Sequence, residues 1–540
     1  MSDLMPLLLV CIKILTMVVS VVFLVSGLDD VFIDVCYFCR RLYRRLFVMP
    51  KYQPLSEEKL LQHPEQLIAI MIPAWDESAV IRPMLLNIVR TLNYDNYHII
   101  VGTYPNDLDT QREVDLVQEQ HSHVHRITCP NNGPTNKADC LNWIYQGIKV
   151  LEKEQHLRFD IFVMQDCEDV IHPLCYKLFN YLIPRKDMVQ LPVHSLPRKW
   201  YEFTAGHYID EFAQLHLKDL IVREVLNKSV PAAGVGCAFS RRAFETIATH
   251  NKNQLFSIDS LTEDYDFGFR LKRHGLKQIF VNFSVPRTIM RIPIWSRKPR
   301  QSTTQELVCI REYFPSTFKA AMRQKSRWIV GIGLQGWAHL GWTGNLWTKY
   351  MLYRDRKALL TNLVNVLGYC VVGTVLAVWV TIWLDPDAYR YPPLLQKGTW
   401  EWYMIMTNFC LVIERVVMRM YCVRHLYGWQ QAFLSVFRMI WGNIINFAAT
   451  CRAIKLYARY LRTGKLIAWD KTVHVFPSEA ELQIFRHRLG TLLLEKRLIT
   501  MTQLDEALRQ QQLQHRPLGT ILIDMGAINE EDLEQVLQVA

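Results

Sequence analysis

The sequence predicts a membrane-anchored α/β protein that ends in a small helical module. Three observations carry this. Short apolar runs alternate with helical stretches between Ile68 and Arg291. Long apolar runs flank that region on both sides. The last part of the chain repeats itself with an offset of 29 residues. Alternation of strand-like and helix-like segments is the pattern of a mostly parallel sheet.

The 540 residues allow about three or four units at roughly 150 residues per domain. Half the residues are hydrophobic, and 62 basic against 51 acidic residues leave a net charge of +11. A basic excess suits an anionic membrane face, a nucleotide ligand or nucleic acid. No zinc-finger spacing or RNA-binding signature accompanies it, so a nucleic acid polymer is not an expected partner. The 13 cysteines are scattered, and Cys36 and Cys39 read as a reduced pair beside a membrane run.

The first unit, residues 1–50, is an anchor. Met5 to Leu28 carries one charge, Lys13, and Arg40, Arg41, Arg44, Arg45 and Lys51 follow it. Basic residues after the run, rather than before it, predict an uncleaved span whose far end is cytoplasmic. The α/β unit occupies 60–340. Residues 341–465 hold the other apolar runs. Ala358 to Leu384 has no charge and is long enough to span. Trp402 to Cys422 returns, with Glu414, Arg415 and Arg419 in its second half. Those charges either face protein or mark an early end of the helix at the headgroups. Phe433 to Ala453 is broken by Arg438, Asn443 and Asn446 and has basic flanks on both sides, which predicts an interfacial helix rather than a fourth span. This pattern places the N-terminus outside and both the α/β unit and the tail in the cytoplasm.

In open parallel sheets ligands bind at the carboxyl ends of the strands, and the distinctive residues cluster there. The first strand runs into Pro73-Ala74-Trp75-Asp76-Glu77, and the second leads to Tyr104-Pro105-Asn106-Asp107. Such carboxylates can accept from a nucleoside or merely cap a helix. Lys137 can meet a phosphate or solvate the surface. Asp166, Glu168 and Asp169 crowd three carboxylates into four residues. A divalent cation, Mg²⁺ or Mn²⁺, would neutralise them; an acidic helix start is the other reading. Thr262-Glu263-Asp264 is a second acidic group, able to supply a base for a hydroxyl acceptor. Gly234-Val235-Gly236 lies between them and permits close backbone approach. Gln324, Arg327 and Trp328 spell Q-x-x-R-W, where Arg suits a diphosphate and Trp a sugar face. Gly331, Gly333 and Gly336 form G-x-G-x-x-G, but an apolar span follows where a dinucleotide fold needs further strands.

These motifs, in this order from Ile68 to Trp337, resemble the family 2 glycosyltransferases of GT-A (Rossmann-like) fold, in particular those with Q-x-x-R-W. The resemblance implies an inverting glycosyltransferase and assigns roles residue by residue. Pro73, Ala74, Glu77, Asp107, Lys137 and Asp166 would hold the nucleotide sugar. Asp166, Glu168 and Asp169 stand at the metal-binding D-x-D, with Glu in place of the second Asp. Asp264 stands at the base, beside Glu263, and Gln324, Arg327 and Trp328 at the acceptor and diphosphate signature.

The whole chain, from Ser26-Gly27-Leu28-Asp29-Asp30 through Ala468-Trp469-Asp470-Lys471-Thr472 to the tail, resembles the bacteriophage N4 adsorption protein B family. That resemblance implies an inner-membrane enzyme paired with an outer-membrane partner. It would transfer sugar from a UDP-N-acetylhexosamine donor to a growing exopolysaccharide. A single addition to a lipid acceptor, or a receptor without catalysis, are the alternatives. The tail, 478–540, resembles the MshE N-terminal domain, a cyclic di-GMP receptor. Arg488, Leu489, Gly490, Leu493 and Gln511 match the first repeat; Arg516, Leu518, Gly519 and Leu522 the second, with Pro517 inserted after its Arg. A small backbone turn at Gly490 and at Gly519 is expected to present amides to phosphate. The other reading of the tail is a helical docking module.

Overall fold

The computed structural model describes residues 4–291, 300–385, 396–464 and 474–482. In the tail it describes 490, 493–494, 496–514 and 518–537. The α/β unit is built on one seven-stranded sheet. Its strands are β1 (Ile68–Pro73), β2 (Tyr97–Thr103), β3 (Val124–Thr128), β4 (Ile161–Met164), β6 (Met188–Gln190), β8 (Cys237–Ser240) and β9 (Gln278–Phe280). They lie in the order β3-β2-β1-β4-β8-β6-β9. The β3-β2-β1-β4 half is parallel, as expected. β8 runs antiparallel to both β4 and β6, so the sheet is mixed.

The strands form here because they are apolar on both faces. Every residue of β1 from Ile68 to Ile72 is fully buried, the signature of a strand covered by helices on each side. One face packs Ile70, Ile72 and Val101 with Met84, Leu85 and Ile88 of the helix Ile81–Thr91. The other packs Met71 and Ile100 with Leu141 and Ile144 of the helix Lys137–Glu154. A second, three-stranded sheet has the order β5-β12-β7, from β5 (Val170–Ile171), β12 (Ile310–Glu312) and β7 (Val193–Ser195). β10 (Ser284–Arg291) and β11 (Arg300–Leu307) pair antiparallel.

Among the described residues three helices are long and apolar enough to cross a membrane: Val10–Val48, Leu346–Leu384 and Trp400–Thr463. The last is two helices joined at Gly428, whose φ of 83° and ψ of −179° break the helical path. The kink falls between the predicted return span and the predicted interfacial helix. Beyond it two of the three polar residues that interrupt the apolar run turn toward the α/β unit, while Asn443 donates to Tyr369 of the helix Leu346–Leu384 at 2.6 Å. Arg438 donates to both carboxylate oxygens of Asp210, at 2.6 and 3.0 Å, and Asn446 donates to Glu211 at 3.0 Å. Before the kink, Arg415 approaches Asp30 at 3.8 Å and Arg419 donates to Gln214 at 2.8 Å. Both arginines thus have partners within the protein. Asp29 and Asp30 of the first helix pair with Lys357 of the second, at 2.5 and 2.7 Å.

In the tail, Leu493, Leu504 and Leu522 are buried together with Ile499, Ala507, Ile521 and Ile528, so the repeated leucines pack against one another. Neither glycine forms a separate turn. Gly490 is helical, and a Cβ on it would meet Leu504 Cδ1 at 2.5 Å, so close helix packing is what excludes a side chain there. Gly519 is buried in the first turn of the helix Leu518–Asp524. Arg488, Leu489, Arg516 and Pro517 lie outside the described residues. Gln511 falls within the helix Met501–Gln514.

Candidate active site

One cavity of about 430 Å³ opens at the carboxyl ends of β1 and β4. Pro73, Glu77, Lys137, Asp166, Glu168, Glu263, Asp264, Gln324, Arg327 and Trp328 all line it. Residues more than 250 positions apart in sequence thus converge on one space.

Each is placed by the start or end of an element. Lys137 opens the helix Lys137–Glu154, whose cap is Asn136, accepting from the Asp139 amide at 2.8 Å. Asp166 lies two residues past the end of β4, and Lys137 Nζ is 2.6 Å from its Oδ1. Glu263 and Asp264 begin the helix Glu263–Arg273, where the helix dipole favours acids. Asp264 Oδ1 accepts from the Tyr265 amide at 2.8 Å. Gly234 brings the backbone against this pair: its φ is +77°, and a Cβ there would stand 2.7 Å from Asp264 Oδ2 and 3.2 Å from Lys137 Nζ.

Gln324, Arg327 and Trp328 lie on the helix Phe318–Trp328, capped by Thr317. Ser326 between them donates to the Ala449 carbonyl at 3.1 Å, and Lys325 pairs with Glu211 and donates to Asn446 at 2.8 Å. The helix after Gly428 is therefore fastened to the back of the Q-x-x-R-W helix. Gly331 and Gly333 of G-x-G-x-x-G continue it in a π-helical turn, Ile329–Gln335, and Gly336 opens the next helix, Gly336–Leu340, so the motif is not a phosphate loop. A Cβ on Gly331 would meet Thr262 Oγ1 at 2.4 Å, so this glycine lets the turn press on Thr262-Glu263-Asp264.

Three predicted residues are not on the cavity wall. Ala74 is buried behind it. Asp107 gives its oxygens to backbone donors, Asp76 N at 2.6 Å and Thr110 N at 3.3 Å, as a helix cap does. Asp169 is fully buried and accepts from the Asp166 amide at 2.9 Å, which holds the loop that aims Asp166.

The electrostatics are those of a crowded acidic site with one central cation. Burial opposes the charge on Lys137, yet Asp166, Glu263 and Asp264 outweigh it and hold the ammonium above the ordinary lysine range. Burial and then Asp264 push Glu263 up to about 8. Burial also raises Asp264, with Lys137 pulling the other way. Glu168 and Asp169 are raised by burial and then by Glu312. Glu312 itself, on β12, is pushed up to about 8 by burial and by Asp166.

Several wall residues escaped sequence reasoning, Glu312 and His474 among them. Glu312 sits on the small second sheet, where no motif marks it. His474 lies beyond the last membrane helix, and its Nδ1 is 2.8 Å from Glu77 Oε1 while its Nε2 is 3.3 Å from Glu168 Oε1.

A model of the glycosyl transferase family group 2 matches residues 161–384, which hold Asp166, Glu168, Glu263, Asp264 and the Q-x-x-R-W helix. Two relatives are similar along nearly the whole chain. They are bacteriophage adsorption protein B of Escherichia coli (strain K12) and bacteriophage N4 adsorption protein B of Escherichia coli O157:H7. Each is 44% identical over 529 residues, which is 97% of this chain and 70% of the relative. The chain belongs to the bacteriophage N4 adsorption protein B family. Its α/β unit has the GT-A glycosyltransferase fold and carries a glycosyl transferase family group 2 domain. Among solved structures, the mannosyltransferase PcManGT from Pyrobaculum calidifontis, in complex with GDP-Man and Mn²⁺, is similar. It is 12% identical with a TM-score of 0.46, over 81% of this chain and 99% of that one.

Proposed function

We propose that this protein transfers a sugar, with inversion, from a nucleoside diphosphate donor to a hydroxyl acceptor at the cytoplasmic face of the inner membrane. The observation that carries the reading is the convergence of Lys137–Asp166, Glu263–Asp264 and the Q-x-x-R-W helix on one cavity. Asp264 takes the proton of the acceptor hydroxyl as that oxygen attacks the sugar. Lys137 and Arg327 hold the departing diphosphate, Arg327 through its planar set of N–H donors. Glu77 and Pro73 border the nucleoside. Trp328 stands beside Tyr208 and Phe212 at 6.1 and 6.2 Å between ring centroids, and forms an aromatic wall for the acceptor.

The residues present fit a divalent cation. Asp166 and Glu168 offer oxygen ligands of the kind Mg²⁺ and Mn²⁺ take. Among the described residues Asp169 Oδ1 has no hydrogen-bond partner, and burial and neighbouring acids raise Glu168 and Asp169. Among the described residues no three such side chains already form a cage, and a bound cation would be free to take further ligands from the diphosphate. A bound cation would neutralise that diphosphate as it leaves.

The polymerising reading rests on family membership: a UDP-N-acetylhexosamine donor, an exopolysaccharide product, an outer-membrane partner and cyclic di-GMP binding at the tail. Single addition to a lipid-linked acceptor is the competing outcome. Purified membranes supplied with radiolabelled nucleotide sugars test the whole. Label in a high-molecular-weight polymer supports synthesis, label in one extractable lipid supports single addition, and no transfer from any donor sinks the enzyme reading.

A further inference from the structure

The helix that carries Asp264, Glu263–Arg273, is tied to two others, Leu220–Asn227 and the long apolar helix Leu346–Leu384. Two polar layers join the three. In the first, Arg223 donates to both oxygens of Asp355, at 2.6 and 2.8 Å, and Tyr265 Oη donates to the same carboxylate at 2.5 Å. In the second, Lys272 Nζ donates to Thr348 Oγ1 at 2.6 Å and also to Asn227, and Thr348 Oγ1 lies 2.9 Å from Asn227 Oδ1. Tyr265 and Lys272 are seven residues apart, as are Thr348 and Asp355. The helix of Asp264 therefore runs antiparallel to the apolar helix for about two turns. Beside these layers Tyr265 and Phe269 are buried with Leu340 and Leu352.

The first layer reaches the site. Arg223, Tyr265 and Asp355 all line the cavity. The amide of Tyr265 is the donor held 2.8 Å from Asp264 Oδ1, so the tilt of that peptide sets where the carboxylate points. The other end of the tyrosine is fixed by Asp355, and Asp355 by the planar fork of Arg223. A buried ion pair adds little to stability beyond what apolar packing would give. Its planar geometry does fix the direction of a third partner, here the tyrosine hydroxyl. Asp355 is held along its own helix as well, because Arg354 and Lys357 on either side of it each pair with Asp29 at 2.5 Å.

We propose that Arg223 and Asp355 are positioning residues for the base: through the Tyr265 hydroxyl they hold Asp264 at the angle at which it meets the acceptor hydroxyl. This rests on the assignment of Asp264 above. Asp355 belongs to a helix long and apolar enough to cross a membrane, so the base is aligned from that helix as well as from the sheet. The layer of Lys272, Asn227 and Thr348 anchors the same helix two turns away and does not orient the carboxylate.

The test compares the full chain in nanodiscs as wild type, Tyr265→Phe, Thr348→Val and Asp264→Asn. Tyr265→Phe removes one hydroxyl and leaves Arg223 paired with Asp355. Release of nucleoside diphosphate from the nucleotide sugar that wild type uses gives kcat and KM, and calorimetry with UDP or GDP gives nucleotide binding. In Tyr265→Phe kcat should fall by about tenfold, part of the roughly 100-fold that a 1 Å misplacement costs, while donor KM and nucleotide Kd stay within about threefold of wild type. Thr348→Val breaks the second layer and should lower the melting temperature at least as much, yet keep the wild-type kcat. Three results overturn the positioning role: an unchanged kcat in Tyr265→Phe, an equal loss of kcat in both variants, or a loss of kcat and nucleotide binding in step. The hydroxyl would then be idle or serve stability alone. If Asp264→Asn keeps the wild-type kcat, the base assignment falls with it. If Asp264→Asn is inactive while Tyr265→Phe is normal, only the positioning role falls.

Discussion

Replacing Gly234 by alanine should disable the site without touching any side chain in it. The glycine has a φ of +77°, and an added Cβ would stand 2.7 Å from Asp264 Oδ2, where ordinary van der Waals contact begins at 3.4 Å. The Asp264 carboxylate must therefore retreat by about 0.7 Å, the difference between those two distances. Lys137 Nζ, 3.2 Å from the new atom, cannot follow freely because it is held at 2.6 Å by Asp166. A left-handed backbone costs an alanine about 1–2 kcal/mol, which lowers stability slightly. The larger effect is on rate, because a misplacement approaching 1 Å at a reacting group costs up to about 100-fold. Turnover should fall by about 10–100-fold while nucleotide binding changes by less than about threefold. Release of nucleoside diphosphate in nanodiscs, beside calorimetry with the same nucleotide, measures both. Gly236→Ala is the control: its φ is also positive, at +60°, but its Cβ would meet Ile310 rather than an acid. Equal turnover in Gly234→Ala and wild type, with the variant folded, refutes the placement of Asp264 as base.

Three further outcomes follow from the charge balance. Lys137→Met leaves Asp166, Glu263 and Asp264 without their shared counter-charge. It should cost about 3–5 kcal/mol, seen as a lower melting temperature that Mn²⁺ partly restores. Arg438→Met strands the carboxylate of Asp210, which is 1% exposed, and should destabilise by a similar amount while loosening the helix behind Gln324 and Arg327. Glu312 and Glu263 are raised to about 8 when folded. Their contribution to stability is complete below about pH 4.5, the unfolded value, and is lost as pH rises through 8. Without a divalent cation the melting temperature should therefore fall between about pH 4.5 and 8 and level off above it. Added Mn²⁺ should flatten that fall and bind more tightly at the higher pH, and a cation effect independent of pH would contradict the assignment.

The parts of this site written in local pattern were legible. β1, β2 and β4 announce themselves as apolar runs, and the acids that follow two of them reach the cavity because strand ends point there. Asp107 shows the limit of that logic, since the same position suits a helix cap and its oxygens are taken by backbone amides. The glycines of G-x-G-x-x-G, which the following apolar span already argued against as a dinucleotide loop, serve packing, Gly331 against Thr262. Arg438 and Asn446 looked like interruptions of an apolar helix; their partners, Asp210 and Glu211, lie more than 220 residues earlier. His474 was beyond reach for the same reason: 397 residues separate it from Glu77, and no periodicity records such a contact. Glu312 sits on a three-residue strand too short to register as an element.

The central claim is that Asp264 deprotonates an acceptor in a nucleotide-sugar site. Purified Asp264→Asn and wild-type protein, in nanodiscs with Mn²⁺ and the nucleotide sugar that wild type uses, test it directly. Loss of a general base costs about 10²–10⁴-fold, so release of nucleoside diphosphate should drop by at least 100-fold. The dissociation constant for the nucleotide should stay within about threefold of wild type. Turnover in Asp264→Asn within tenfold of wild type, at equal nucleotide binding, would contradict the account.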